Sequence, residues 1–191
     1  QQLAVKYLVD HYKNLGIPSV KNDSYLQAVP LQLEDKPNIS LNISNQKFVY
    51  YQDYISYANG LDRNYESVEI IFAGYGIDDP AYSDYLNIDV KNKIVVAIGG
   101  EPLDENENYF INGKSKSKWS NSREEIGLKK SIAKNKGAQA LILVDDYLFR
   151  RYKSRFQYSD SGRGEKRMTL GNDEENNFQV LLFPEKNKDF L

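Results

Sequence analysis

The chain has 191 residues, 40% hydrophobic and 27% charged, a balance that fits one globular domain, or one domain with a fragment of another, and not a disordered chain. Lys and Arg number 25 and Asp and Glu 27, for a net charge of −2, which argues against a dedicated nucleic-acid binder while leaving room for a local basic patch. The absence of cysteine and the single histidine, His11, exclude disulfides, thiolate metal sites and any centre that needs two imidazoles.

The first segment, QQLAVKYLVDHYKNLG, predicts a helix, because Leu3, Tyr7, Leu8, Tyr12 and Leu15 recur at three- and four-residue spacing and Gly16 followed by Pro18 supplies a stop. Its apolar face must be buried against something, and His11 on it reads as a partly exposed helix residue rather than a base or ligand. The chain starts with Gln1 and not Met, which points to a processed product or an excised segment. No apolar run approaches the ~20 residues that span a bilayer.

A β-rich stretch follows. Pro30 marks a strand start before Leu31 and Leu33, ISLNIS alternates Ile39, Leu41 and Ile43 against polar residues, and KFVYYQDYISY is aromatic and β-branched. The near-continuous apolar run Val68 to Gly76 predicts a strand buried on both faces, and NKIVVAIGG and AQALILVDD predict two more. Glu101 to Asn121 is polar and weakly patterned, a surface loop. Between the second and third buried strands, Ser122 with Glu125 forms a capping-box pattern, and Gly137 ends the helix it starts. Strand, helix, strand in that order implies a βαβ crossover with parallel strands. NFQVLLFP, closed by Pro184, is a last strand. A mixed α/β domain is expected.

Few constellations carry chemistry. Gly74-Tyr75-Gly76 follows a strand, but the dinucleotide fingerprint needs a third glycine where Asp79 stands, and no helix opens there; a tight turn is the simpler reading. Asp78, Asp79, Asp84 and Asp89 offer the oxygen ligands calcium prefers, at a spacing that matches no EF-hand, and equally suit a solvated loop whose aspartates cap turns. Tyr147 to Arg167 is the sharpest charge feature: Arg150, Arg151, Lys153, Arg155, Arg163, Lys166 and Arg167 are interleaved with Tyr147, Phe149, Tyr152, Phe156 and Tyr158. Such a segment binds single-stranded nucleic acid, or packs its rings inward with its charges in water, or presents arginines to an anionic substrate or partner domain.

The run VEIIFAGYGIDDPAYSDYLNIDVKNKIVVAIGGEP resembles the protease-associated domain inserted in secreted zinc-dependent aminopeptidases, the family of glutamate carboxypeptidase and the transferrin receptor. The shared features are Gly74-Tyr75-Gly76-Ile77, Asp84-Tyr85 and Asp89-Val90-Lys91-Asn92-Lys93-Ile94-Val95, with Asn92 where the family usually has glycine and αL backbone that Asn tolerates. KKSIAKNKGAQALILVDD, with Gly137-Ala138, is similar to the family's K-x-x-x-A-x-x-x-GA-x-A-x-x-x-V, and residues 1–33 resemble the first helix and strand of the peptidase domain.

The resemblance implies a swivelling β/β/α fold, a β-sandwich-like core with flanking helices and one βαβ crossover. Residues 1–33 would belong to the peptidase domain and 34–191 to the protease-associated domain. It implies a non-catalytic segment, in an extracellular or periplasmic protein, that covers the active-site cleft and shapes peptide access or protein contact. The family's two zinc ions belong to the peptidase domain, so no catalytic or metal residue is carried over and no cofactor is expected in this segment. The contacts expected with peptide or the chain's own peptidase domain fall on Trp119 in loop 101–121, Arg123 just after it, and Arg150, Arg151, Arg155 and Arg163 in segment 147–167. The alternative is a free-standing module for polysaccharide or nucleic acid.

Overall fold

The computed structural model describes residues 2–19, 24–34, 39–58, 65–66, 68–113, 115–162, 167–170 and 178–190. In chain order the elements are α1 (Gln2–Asn14), β1 (Leu31–Glu34), β2 (Leu41–Ile43), β3 (Gln46–Phe48), β4 (Ile55–Ala58), β5 (Ile70–Phe72), β6 (Asp78–Asp79), β7 (Tyr82–Ser83), β8 (Ile94–Ile98), α2 (Glu125–Asn135), β9 (Ala140–Val144), α3 (Asp146–Asp160), β10 (Arg167–Leu170) and β11 (Gln179–Phe183). The fold is mixed α/β.

Its centre is a five-stranded sheet in the order β4-β11-β9-β8-β5. β5, β8, β9 and β11 are parallel, and β4 is antiparallel on β11. The parallel strands are laid down in one direction, each new strand on the same side of the last, so helices joined to them by crossovers of one hand share a face. That is the arrangement found: Ile126 and Ala133 of α2 and Leu148, Phe149, Tyr152 and Phe156 of α3 pack on Val95, Ala97, Leu141, Leu143, Val180 and Leu182. The alternate residues Val96, Ile142, Val144, Leu181 and Phe183 face the other way, where Ile43, Phe48 and Tyr54 cover them. Period-two alternation thus gives β8, β9 and β11 an apolar side chain on both faces, which is why each reads as an unbroken apolar run.

Local chemistry sets several of the joints. Gly137 (φ +84°) closes α2 in a Schellman motif, with Ala138 N–H donating to Ala133 C=O and Gly137 N–H to Lys134 C=O, each at 3.0 Å. Asn92 takes αL backbone (φ +61°) and donates its N–H to Gly137 C=O at 2.9 Å. Ser44 and Asn45, both with positive φ, form the two-residue turn between β2 and β3.

Four expectations need correction. The run Val68 to Gly76 yields only three strand residues, and β5 is an edge strand with Phe72 59% exposed, not a strand buried on both faces. KFVYYQDYISY does not continue as one strand. It breaks after Phe48 at a turn where Tyr51 has φ +68° and Asp53 N–H donates to Val49 C=O at 2.8 Å. The capping box at Ser122 does not form: Asn121 caps the turn, its Oδ1 accepting from Arg123 N–H at 3.1 Å, while Glu125 points inward. Residues 146–160 of the basic segment are a helix, so the sheet carries a second crossover, β9-α3-β11, beside β8-α2-β9.

Outside the sheet, β1 starts directly after Pro30 and pairs antiparallel with β10, Leu31 opposite Leu170 and Glu34 opposite Arg167. The boundary expected after residue 33 falls within this strand. α1 is formed as predicted and closed by Gly16 (φ +69°), but it has no buried residue.

Candidate functional site

Of the resemblance motifs, Gly74–Ile77 and Asp84–Tyr85 follow the edge strand β5, while Asp89–Val95 and Gly137–Ala138 lie side by side where the chain enters β8 and β9. After β5, Gly74 (φ +46°) and Gly76 (φ +65°) turn the chain. A Cβ on Gly74 would collide with the Asp84 carboxylate, and one on Gly76 would lie 2.9 Å from the Ala97 methyl. Asp84 closes the loop over them, accepting from Ile77 N–H at 3.0 Å and from the Tyr82 hydroxyl at 2.6 Å. Burial and that acidic partner push the Tyr82 phenol well above its ordinary value. Tyr75 is half-buried, and Tyr85 is buried with its hydroxyl unpaired among the described residues and the Lys136 ammonium 5.0 Å from its ring centre. Asp84, with its two hydrogen bonds, locks the turn after β5 to β7.

After β8, the turn Gly99-Gly100-Glu101 is held by a buried ion pair. Lys129, one turn along α2 from Glu125, is 0% exposed and spends its three N–H bonds on Glu125 Oε1 (2.8 Å), Ile98 C=O (2.9 Å) and Gly100 C=O (2.8 Å). Glu125 Oε1 also accepts from Gly100 N–H at 2.5 Å. Burial pulls the Lys129 ammonium below its ordinary value, and the Glu125 carboxylate opposes that fall. Every proton of Lys129 is spoken for, so it fixes geometry and is not poised as a base. Glu101 reaches the other way, its Oε1 accepting from Ser117 N–H at 2.7 Å, which ties the loop 101–121 down at its far end.

Trp119 was expected on a contact surface. Instead it is 2% exposed in a 3₁₀ turn, its indole N–H donating to Asp79 Oδ2 at 3.2 Å. The four aspartates weighed as a calcium site are each engaged by the protein itself. Asp78 pairs with Lys136 at 2.7 Å, Asp79 takes the Trp119 indole and Ala81 N–H, Asp84 closes the Gly74 loop, and Asp89 accepts from Lys91 N–H at 3.0 Å. The hydrogen bond from Lys136 holds the Asp78 carboxyl below the usual range. Among the described residues no group of three or more His, Cys, Asp or Glu is set to hold a metal ion.

The outer face of α3 is an exposed polar surface. Arg150, Arg151 and Arg155 are exposed there, with Tyr147 at 58% and Tyr158 at 59% exposure. Arg151 donates to the Ser122 hydroxyl at 3.2 Å and to the Tyr147 hydroxyl at 3.5 Å. Arg123 is exposed just before α2, and Arg163 lies outside the described residues. Of the residues expected to make contacts, the structure brings Arg150, Arg151 and Arg155 onto one helix, leaves Arg123 on the neighbouring turn and withdraws Trp119 into the core. The pair Lys129 and Glu125 escaped notice because nothing in an i, i+4 Glu-Lys spacing distinguishes a buried pair from a solvated one.

Protein-family models, curated proteins and solved structures were each compared with the chain, and none matches.

Proposed function

We propose that this chain is a non-catalytic protease-associated module of a secreted zinc-dependent aminopeptidase, extracellular or periplasmic, whose core has the swivelling β/β/α architecture. It acts by contact: α1 seats against the peptidase domain, and loop 101–121 with α3 borders the path of the peptide substrate. The zinc ions and the general base of the reaction belong to the peptidase domain, and this chain shapes access to them.

The observation that carries the proposal is α1. A helix with Leu3 at 86%, Tyr7 at 69% and Leu15 at 60% exposure leaves its apolar residues in water, which costs about 25 cal/mol for each Å² of apolar surface not buried. Such a face is expected of an element that packs on another domain. Support also comes from the locks at Gly74–Asp84 and Gly137–Ala138, which give structural roles to the residues of the family motifs.

The test is the reading frame beyond Leu191, joined to one assay. A continuation with spaced His, Asp and Glu zinc ligands is expected, and in the full-length enzyme removal of loop residues 103–113 should change peptide preference or efficiency. A frame without such ligands, or a loop deletion that leaves both unchanged, overturns the proposal.

A further inference from the structure

The outer face of α3 is rich in arginine. From Tyr147 to Ser159 the helix carries Arg150, Arg151, Lys153 and Arg155 and no acidic residue. Among the described residues none of these four cations is paired with a carboxylate. Asp146 and Asp160 at the two ends of α3 bring its net charge to +2, still opposite in sign to the chain's −2, and the helix is fixed in the core by Leu148, Phe149, Tyr152 and Phe156.

Helical spacing places Tyr147, Arg151, Ser154 and Tyr158, at i, i+4, i+7 and i+11, along one outward stripe, with Arg150 beside it. At ~1.5 Å per residue the two tyrosines stand ~16 Å apart. Both rings are more than half exposed, and Tyr and Arg are the side chains that most often dominate protein interfaces. Arg151 is held in place by its bonds to Ser122 and Tyr147, so less side-chain entropy is lost when its guanidinium meets a carboxylate in a two-pronged bond.

We propose that this stripe binds an acidic peptide segment of a protein partner, carboxylates on Arg150 and Arg151 and an apolar or aromatic side chain against Tyr147 or Tyr158. A nucleic-acid strand is disfavoured because the net negative charge of the rest of the chain repels a polyanion that extends beyond α3. The proposal rests on α3 as a contact surface and not on attachment to a peptidase.

The experiment titrates the full chain with a fluorescent octapeptide of alternating Glu and Phe, a charge-matched oligodeoxythymidylate and an octapeptide of alternating Lys and Phe. At low salt the acidic peptide should bind most tightly, and Arg150→Glu/Arg151→Glu should weaken it by at least about tenfold, as loss of paired interface charges does. Lys47→Glu, the same kind of charge change at an exposed residue of β3, should leave affinity within about twofold, because screening limits a remote charge. Arg150→Gln/Arg151→Gln, without charge reversal, should fall between the two. Equal loss in the Lys47 and arginine variants, no binding of the acidic peptide, or tighter binding of the oligonucleotide overturns the proposal. The outcome is independent of whether α1 packs on a peptidase domain, so the two proposals fail separately.

Discussion

Lys129 shows how one side chain can organise the edge of a sheet. Its ammonium joins α2 to the backbone of the turn after β8, and Glu125 neutralises it while bonding Gly100 N–H. Taking both charges out of water is expensive, and their attraction offsets that cost only while the pair is complete. Lys129→Ala is therefore expected to lower unfolding free energy by about 3–5 kcal/mol, because it strands a buried carboxylate. In Lys129→Met/Glu125→Gln the loss should be smaller than the sum of the losses in Lys129→Met and in Glu125→Gln, which with the parent protein complete the cycle, since the two residues share one network. Denaturant titrations of the four proteins read this directly, and additive losses would show that the pair is not coupled. At this scale the sequence was legible where the cause is local. Gly16, Gly137 and Asn92 announce their turns because few residues tolerate positive φ. Trp119, Glu125 and Lys129 did not, because their burial is decided by chain segments far away in sequence.

At the scale of elements, the difference between α1 and α3 is a matter of what each apolar stripe meets. Both are amphipathic. The stripe of α3 rests on the sheet, with Tyr152 edge-on to Tyr57, ring centres 4.7 Å apart, and Phe156 buried beside it. Burial pushes the Tyr57 phenol up to about 12, with Tyr152 adding to the effect. Phe156→Ala should cost about 3–5 kcal/mol, the usual loss for a buried aromatic ring. Leu8→Ala in α1 should change stability by no more than about 0.5 kcal/mol, as exposed substitutions do. Thermal unfolding of the two variants separates the cases; comparable losses would mean that α1 is packed in solution. β8 and β9 were legible as buried strands because both their faces are apolar, and β11 was legible as a strand. α3 was obscured because Arg and Tyr dominate its composition, although Leu148, Phe149, Tyr152 and Phe156 carry a helical period. β5 misled for the opposite reason: its run is apolar apart from Glu69, yet it lies at an edge with Phe72 in solvent.

For the whole molecule, the parallel strands all advance one way, both helices cover one face, and the hairpin β2–β3 with Tyr54 covers part of the other. Such a sheet has no point where strand order reverses within its parallel part, and so lacks the crevice that doubly wound folds use for nucleotides. What it offers instead are surfaces: an unburied helix at one end of the chain and a basic, tyrosine-flanked helix face in its second half. The mixed α/β class could be read from the order of the segments. That the N-terminal stretch reaches across to pair with β10 could not, since a strand's partner is not written in its own residues.

We propose that α1, which has no buried residue, is completed by another domain. Amide hydrogen exchange of the 191-residue chain, in a sample proven monomeric by sedimentation, tests it most directly. The amides of Gln2–Asn14 should exchange close to the rate of a frayed helix, while those of β8, β9 and β11 stay protected up to global unfolding. Protection of α1 equal to that of the central strands would contradict the claim, and with it the docking role assigned to the helix.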